Sequence, residues 1–186
     1  MTKTYTINTI NGINLDTLRE TVNAIQEQPE LGACKFRVRN TWIDGDRNCS
    51  SITTFYGAKQ EHQHQKNFVL ECDEPPVLAG RDSAPNPVEH LLNALAGCLT
   101  TSIVAHAAVQ GIHIEELESE IEGDLDLRGF LGISNKVPRQ YKNIRVHFRI
   151  KSDEKNMERL KRLAQFSPVY NTLIHGTSID LQIEPK

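Results

Sequence analysis

The chain is predicted to be an α+β protein, with mainly antiparallel strands and one long buried helix. Three observations lead there. Short alternating segments come in runs, before and after the helical stretches, rather than singly between helices. Val88 to Gln110 is apolar nearly all the way round, which suits a helix in a core rather than on a surface. The chain has 186 residues, 38% of them hydrophobic, enough for the core of one domain with an appendage.

Composition excludes several classes. Charged residues make up 24%, an ordinary share for a globular chain, and the net charge of -3 argues against a nucleic-acid footprint. His90, Asn93, His106 and Gln110 interrupt the best apolar stretch, so no membrane span is expected. The first residues, MTKTYTINTINGINLDTL, lack the apolar region of a leader, which points to the cytoplasm. Cys34, Cys49, Cys72 and Cys98 are widely spaced. They are expected to be free thiols, and a structural zinc site would need closer pairs.

Residues 1–33 read as an appendage and residues 34–186 as the main domain. In the appendage, Thr4 to Ile10 alternates like a strand and Asn11-Gly12 marks a turn. Asn14 or Asp16 caps a helix carrying Leu18, Val22 and Ile25, which Pro29 and Gly32 end. Cys34 to Trp42 alternates strictly and is the first strand of the domain. Asp44-Gly45-Asp46 is a hairpin turn, and Asn48 to Tyr56 returns as the second strand. Gly57 to Lys66 is polar and is expected to be a solvated turn. His62 and His64 in it are metal-capable in principle, but no third ligand lies nearby. Asn67 to Cys72 is the third strand.

A loop rich in Pro and Gly follows, from Asp73 to Pro87. Asn86 is a good N-cap, Pro87 suits the first helical position, and Glu89 falls in the first turn. The central helix runs to about Gln110, where Gly111 stops it. Ile112 to Asp126 is a strand with an acidic solvated face. Gly129 to Gln140 is a loop whose Phe130-Leu131 has the look of an interface element. Ile144 to Ile150 is a strand, Lys155 to Phe166 a helix, and Ser167-Pro168 the cap and start of a short helix ended by Gly176. Ser178 to Ile183 is the last alternating strand.

The residues Gly80 to Cys98, read as G-x-D-x-A-P-N-P-x-E-x-L-L-x-A-L-A-G-C, resemble the OsmC and organic hydroperoxide resistance family. Phe166-Ser167-Pro168-Val169-Tyr170 falls where that family carries its second cysteine, also followed by Pro-Val. The resemblance covers roughly residues 34–186. It implies an OsmC-like fold, an intertwined homodimer with strongly curved, mainly antiparallel sheets around the long buried central helix, and a thiol peroxidase, a peroxiredoxin-like hydroperoxide reductase of oxidative-stress defence. Such an enzyme uses no metal or organic cofactor and takes electrons from an external thiol. Its partners would be a second copy and an organic hydroperoxide or other small hydrophobic molecule, with no nucleic acid and no membrane.

Carried over by position, Cys98 matches the attacking cysteine. The family's glutamate follows the Asn-Pro directly, where this chain has Val88, so Glu89 is displaced by one, about 100° around a helix. The activating arginine comes from the early strands or their turn. Arg39 and Arg47 are the candidates, with Arg37 beside them and Arg81 in the loop as a weaker one. Ser167 replaces the second cysteine, and a hydroxyl cannot form a disulfide.

Each of these residues also has a plainer role. Cys98 among Ala, Leu and Gly suits a small buried residue whose thiol is inert. Ser167 suits a helix cap, and Glu89 a first-turn charge. His90 and His106, each eight residues from Cys98, suit satisfied core or interface histidines. The second functional reading is therefore a non-catalytic relative that binds a small hydrophobic ligand at the dimer interface.

Overall fold

The computed structural model describes residues 8–185. Of the strand expected at Thr4 to Ile10, residues 4–7 lie outside the described residues, and Thr9–Ile10 forms β1. β1 pairs with β2 (Ile13–Asn14) across the turn at Asn11-Gly12. The described residues form two compact units, one of residues 14–91 with Asn8, the other of residues 9–13 and 92 onward.

In the first unit, α1 (Leu15–Glu27) is capped by Asn14, whose side-chain oxygen accepts the N–H groups of Asp16 and Thr17. Leu15 is buried, whereas Val22 and Ile25 are exposed, so much of the apolar stripe faces outward. The meander consists of β3 (Lys35–Phe36), β4 (Arg39–Asp44), β5 (Arg47–Gly57) and β6 (Gln60–Cys72). β5 is the spine, with β3 and β4 along one edge and β6 along the other, all antiparallel.

Two expectations are corrected here. The first strand is broken at Arg37-Val38 into β3 and β4. The polar stretch expected as a solvated turn is instead the first half of β6. Ala58 and Lys59 take positive φ and close a tight turn, so pairing resumes at Gln60. The rings of His62 and His64 stand 4.9 and 5.1 Å from that of Phe55, filling the places that aliphatic residues fill in an ordinary alternating strand.

In the second unit, β7 (Glu116–Asp124) and β8 (Asn143–Lys151) pair antiparallel from Glu116↔Lys151 to Asp124↔Asn143. The strand expected from Ile112 is shorter at its start. There the side-chain amide of Asn11 donates to Ile112 C=O and accepts from Ile114 N–H, both at 2.9 Å. Between β7 and β8 the expected loop contains a short helix, α3 (Leu127–Phe130). The later helix is α4 (Met157–Leu163), with tighter 3₁₀ turns on either side, followed by α5 (Pro168–His175). Ile103, Ala107, Ile112, Leu160 and Leu163 form the core, with Leu117, Phe148 and Ile150 of the sheet packed against them.

The central helix is α2 (Pro87–Val109). It was expected to be buried all round, but only one face is. Leu95, Leu99, Ser102, Ile103, Ala107 and Ala108 are buried, while Leu91, Ala94, Gly97 and Thr101 are exposed. Its polar interruptions are also too few to exclude a span: by length and composition alone α2 qualifies to cross a membrane. A core helix passes the same test, and the buried face of α2 supplies Ile103 and Ala107 to the core. The last expected strand, Ser178 to Ile183, is not formed among the described residues, and Ile179, Leu181 and Ile183 are exposed. Alternation makes a strand only where a neighbour accepts its hydrogen bonds and its apolar face.

Candidate functional site

The loop ahead of α2 is organised by Asp73, which is buried. Its carboxylate accepts the Ser83 hydroxyl at 2.7 Å and the backbone N–H groups of Ser83, Glu74 and Arg81 at 3.0, 2.9 and 3.3 Å. These donors hold its pKa down at about 2, below the ordinary 3.8, with the Ser83 hydroxyl the largest cause. A depressed carboxyl stabilises the fold above its unfolded value, and that contribution is lost as pH falls through the folded value. Asp73→Asn is therefore expected to flatten the acid limb of the stability–pH curve between about pH 4 and 2. Urea unfolding at stepped pH measures it. Sequence reasoning missed Asp73 because its chief partner lies ten residues away and no local pattern joins them.

Asn86 and Glu89 close the start of α2 reciprocally. Glu89 N–H donates to Asn86 Oδ1, and Asn86 N–H donates to Glu89 Oε2, both at 2.9 Å. This is a capping box, with the anionic side chain also set at the positive end of the helix. One carboxylate oxygen of Glu89 is thus engaged in holding the helix start. His90 Nε2 lies 3.0 Å from the Glu71 carbonyl, a satisfied histidine.

The candidate arginines differ in setting. Arg47 opens β5 half-buried, with Nη1 3.4 Å from Asp44 Oδ1. Asp44 Oδ2 also accepts Arg81 Nη2 at 2.6 Å, so one carboxylate joins the hairpin end to the loop. Arg39 is exposed on β4, opposite Ser51. Arg37 is committed to Glu61 through two bonds of 2.7 and 2.8 Å. Arg39, Arg47 and Glu89 belong to the first unit, Cys98 and Ser167 to the second.

Cys98 sits halfway along α2, partly exposed, between buried Leu95 and Leu99. Ser167 is fully buried and caps α5, its hydroxyl accepting Tyr170 N–H at 3.2 Å. His106 stacks on Phe166 with ring centroids 4.1 Å apart. Among the other cysteines, Cys72 has its thiol pushed up, chiefly by burial and then by the charge of Glu74, which makes it a poor nucleophile. Among the described residues no three His, Cys, Asp or Glu side chains are grouped to hold a metal ion.

The second unit contains a mainly apolar cavity of about 260 Å³, walled by Leu95, Ile144, Val146, Leu173 and Ile174, with Tyr141, Tyr170, Lys142 and Asn143 completing it. Leu95 precedes Cys98 by three residues on α2, within one helical turn.

Solved structures share this fold. An OsmC-like protein from Mycoplasma pneumoniae superposes with a TM-score of 0.57 at 17% identity, over 76% of this chain and 89% of the other. An OsmC-like protein of unknown function from Vibrio cholerae gives 0.52 at 13%, over 74% and 92%. An organic hydroperoxide resistance protein OsmC from Legionella pneumophila, described also as a predicted redox protein, gives 0.50 at 20%, over 76% and 90%. At these identities the likeness is one of fold. A search of curated proteins returns no match. The sequence profile of OsmC-like proteins matches residues 80–182, more than half of the chain and the stretch that holds the loop, α2, Cys98 and Ser167. The chain therefore belongs to the OsmC-like protein family.

Proposed function

We propose that this OsmC-like stress-response protein is a cytoplasmic one-Cys reductase of organic hydroperoxides, acting through Cys98 with an external thiol. The observation that carries the reading is the position of Cys98: mid-helix, partly exposed and within the family match, while Ser167 holds the second-cysteine position as a buried cap. The Cys98 thiolate attacks the peroxide oxygen farther from the alkyl group. The S–O bond forms, the O–O bond breaks, and the alkoxide leaves as the alcohol after taking a proton. An external thiol then displaces water from the sulfenic acid to give a mixed disulfide. A second thiol releases Cys98 and carries away the disulfide. A cation is needed to favour the thiolate, and Arg47 and Arg39 are the candidates for it.

A second copy of the chain is part of the reading. The exposed face of α2 and the unpaired Ser178 to Ile183 segment both leave apolar surface that a homodimer would cover. Sedimentation at twice the 21.0 kDa chain mass is the expected result.

The test is consumption of tert-butyl hydroperoxide with dithiothreitol as reductant. The native chain is expected to consume peroxide and the Cys98→Ser variant to consume none. A Cys98 pKa near or above the ordinary 8.5 by pH-dependent alkylation, with no consumption, would sink this reading. The second reading is non-catalytic binding of a small hydrophobic ligand, and the apolar cavity beside Leu95 favours it. Ligand-dependent thermal stabilisation that persists in Cys98→Ser, without peroxide turnover, is its expected signature.

A further inference from the structure

We propose that the connection between β7 and β8, residues 125–142, is a docking element for an anionic lipid surface. The length is the first sign. Eighteen residues join two antiparallel strands that a turn of two to five could join, and long connections of this kind are functional or disordered. This one is ordered from within. Asp126 caps α3 and accepts ion pairs from Arg128 at 2.7 Å and Lys142 at 3.0 Å. Ile133 N–H donates to Arg128 C=O at 3.0 Å, and Lys142 N–H to Asp124 C=O at 2.8 Å. Gly129 is buried so close to the Pro138 carbonyl that a Cβ there would collide with it. A preformed element loses little freedom on binding.

The chemistry of its surface is the second sign. Phe130, Leu131 and Ile133 are 62%, 53% and 69% exposed. From Leu127 to Lys142 there is no acidic residue but four basic ones: Arg128, Lys136, Arg139 and Lys142. Asp126 takes two of them. Lys136 and Arg139 are exposed, with no ion-pair partner among the described residues. Exposed apolar residues beside uncompensated cations, on a chain of net charge -3, match a surface that is both apolar below and negative above. Peripheral docking of this kind needs no spanning segment.

The probe is vesicle co-sedimentation of the full chain with phosphatidylcholine vesicles, with and without phosphatidylglycerol. Binding is expected only to the vesicles containing phosphatidylglycerol, and added salt is expected to weaken it. Lys136→Glu with Arg139→Glu is expected to reduce binding about tenfold or more. Both residues are exposed, so circular dichroism is expected to match the native chain. Phe130→Ser, Leu131→Ser and Ile133→Ser together are expected to do the same. Cys98→Ser is expected to bind like the native chain, which separates this proposal from the thiol chemistry. Absence of binding by the native chain, or undiminished binding by the charge-reversed variant, would overturn it. So would a change of oligomeric mass in the apolar triple variant with vesicle binding intact, which would make the patch an interface between copies.

Discussion

Gly80→Ala is expected to lower the stability of the chain by about 3 kcal/mol, through overpacking against backbone. A Cβ on Gly80 would overlap the carbonyl group and Cα of Glu74. Those atoms cannot swing aside as a flexible side chain would. Glu74 is tied to Asp73 by its own N–H, and its carbonyl accepts Asp82 N–H at 3.1 Å. Ala79 and Asp82 flank the contact in left-handed conformations. These cost little once the surrounding bonds fix them and much if those bonds are lost. Urea unfolding measures the loss, and amide exchange at Ser83 reports whether it starts in the loop. An effect under about 0.5 kcal/mol would mean that the loop adapts, contrary to the close contact.

The second large effect is expected from Leu160→Ala, at about 3 kcal/mol. Leu160 is completely buried on α4 and packs with Ile103, Ala107, Ile112 and Leu163. Truncation removes apolar burial and leaves a void, because Ile103 and Ala107 are held on the long helix α2 and close-packed surroundings relax only in part. Leu160→Met keeps most of the volume and is expected to cost less than half as much. Chemical denaturation of both variants beside the native chain is the measurement. Equal losses would show that shape rather than volume governs the site.

Much of the fold was legible because its signals are local. Asn86 and Pro87 mark the start of α2, and Gly111, at φ +70, marks its end. Ser167 and Pro168 start α5 as their residue types suggest. The alternation of Leu117, Ile121 and the glutamates between them gave the strand and its two faces. The failures have physical causes. β6 begins earlier than expected because histidines lie on Phe55, and a scale that counts them as polar sees a turn. Ser178 to Ile183 has a strand pattern without a partner in the chain as described. Asp73 was invisible because its donors become neighbours only after the loop has closed. Cys98 stood out by resemblance rather than by any local rule, and local rules marked Ser167 only as a cap. What a mid-helix thiol or a capping hydroxyl does depends on what surrounds it.

The paired strands β7 and β8 specify their alignment on one face more strictly than on the other. On one face Leu117 meets Ile150 and Ile121 meets Val146, while on the other Glu116, Glu118 and Glu122 meet Lys151, Arg149 and Arg145. Slipping by one residue would turn the apolar set outward. Slipping by two would keep the apolar face inward and would still set Glu118, Glu120 and Asp124 opposite Lys151, Arg149 and Arg145. Alternation therefore fixes the register only modulo two, and a ladder acidic along β7 and basic along β8 does not remove that ambiguity. Exposed ion pairs of this kind add little stability, and Arg145 and Arg149 already reach Asp124 and Glu120 as well as the residues opposite them. What selects among the even slips is the packing of Leu117, Phe148 and Ile150 against the core, so salt that screens the charges is expected to leave the pairing unchanged.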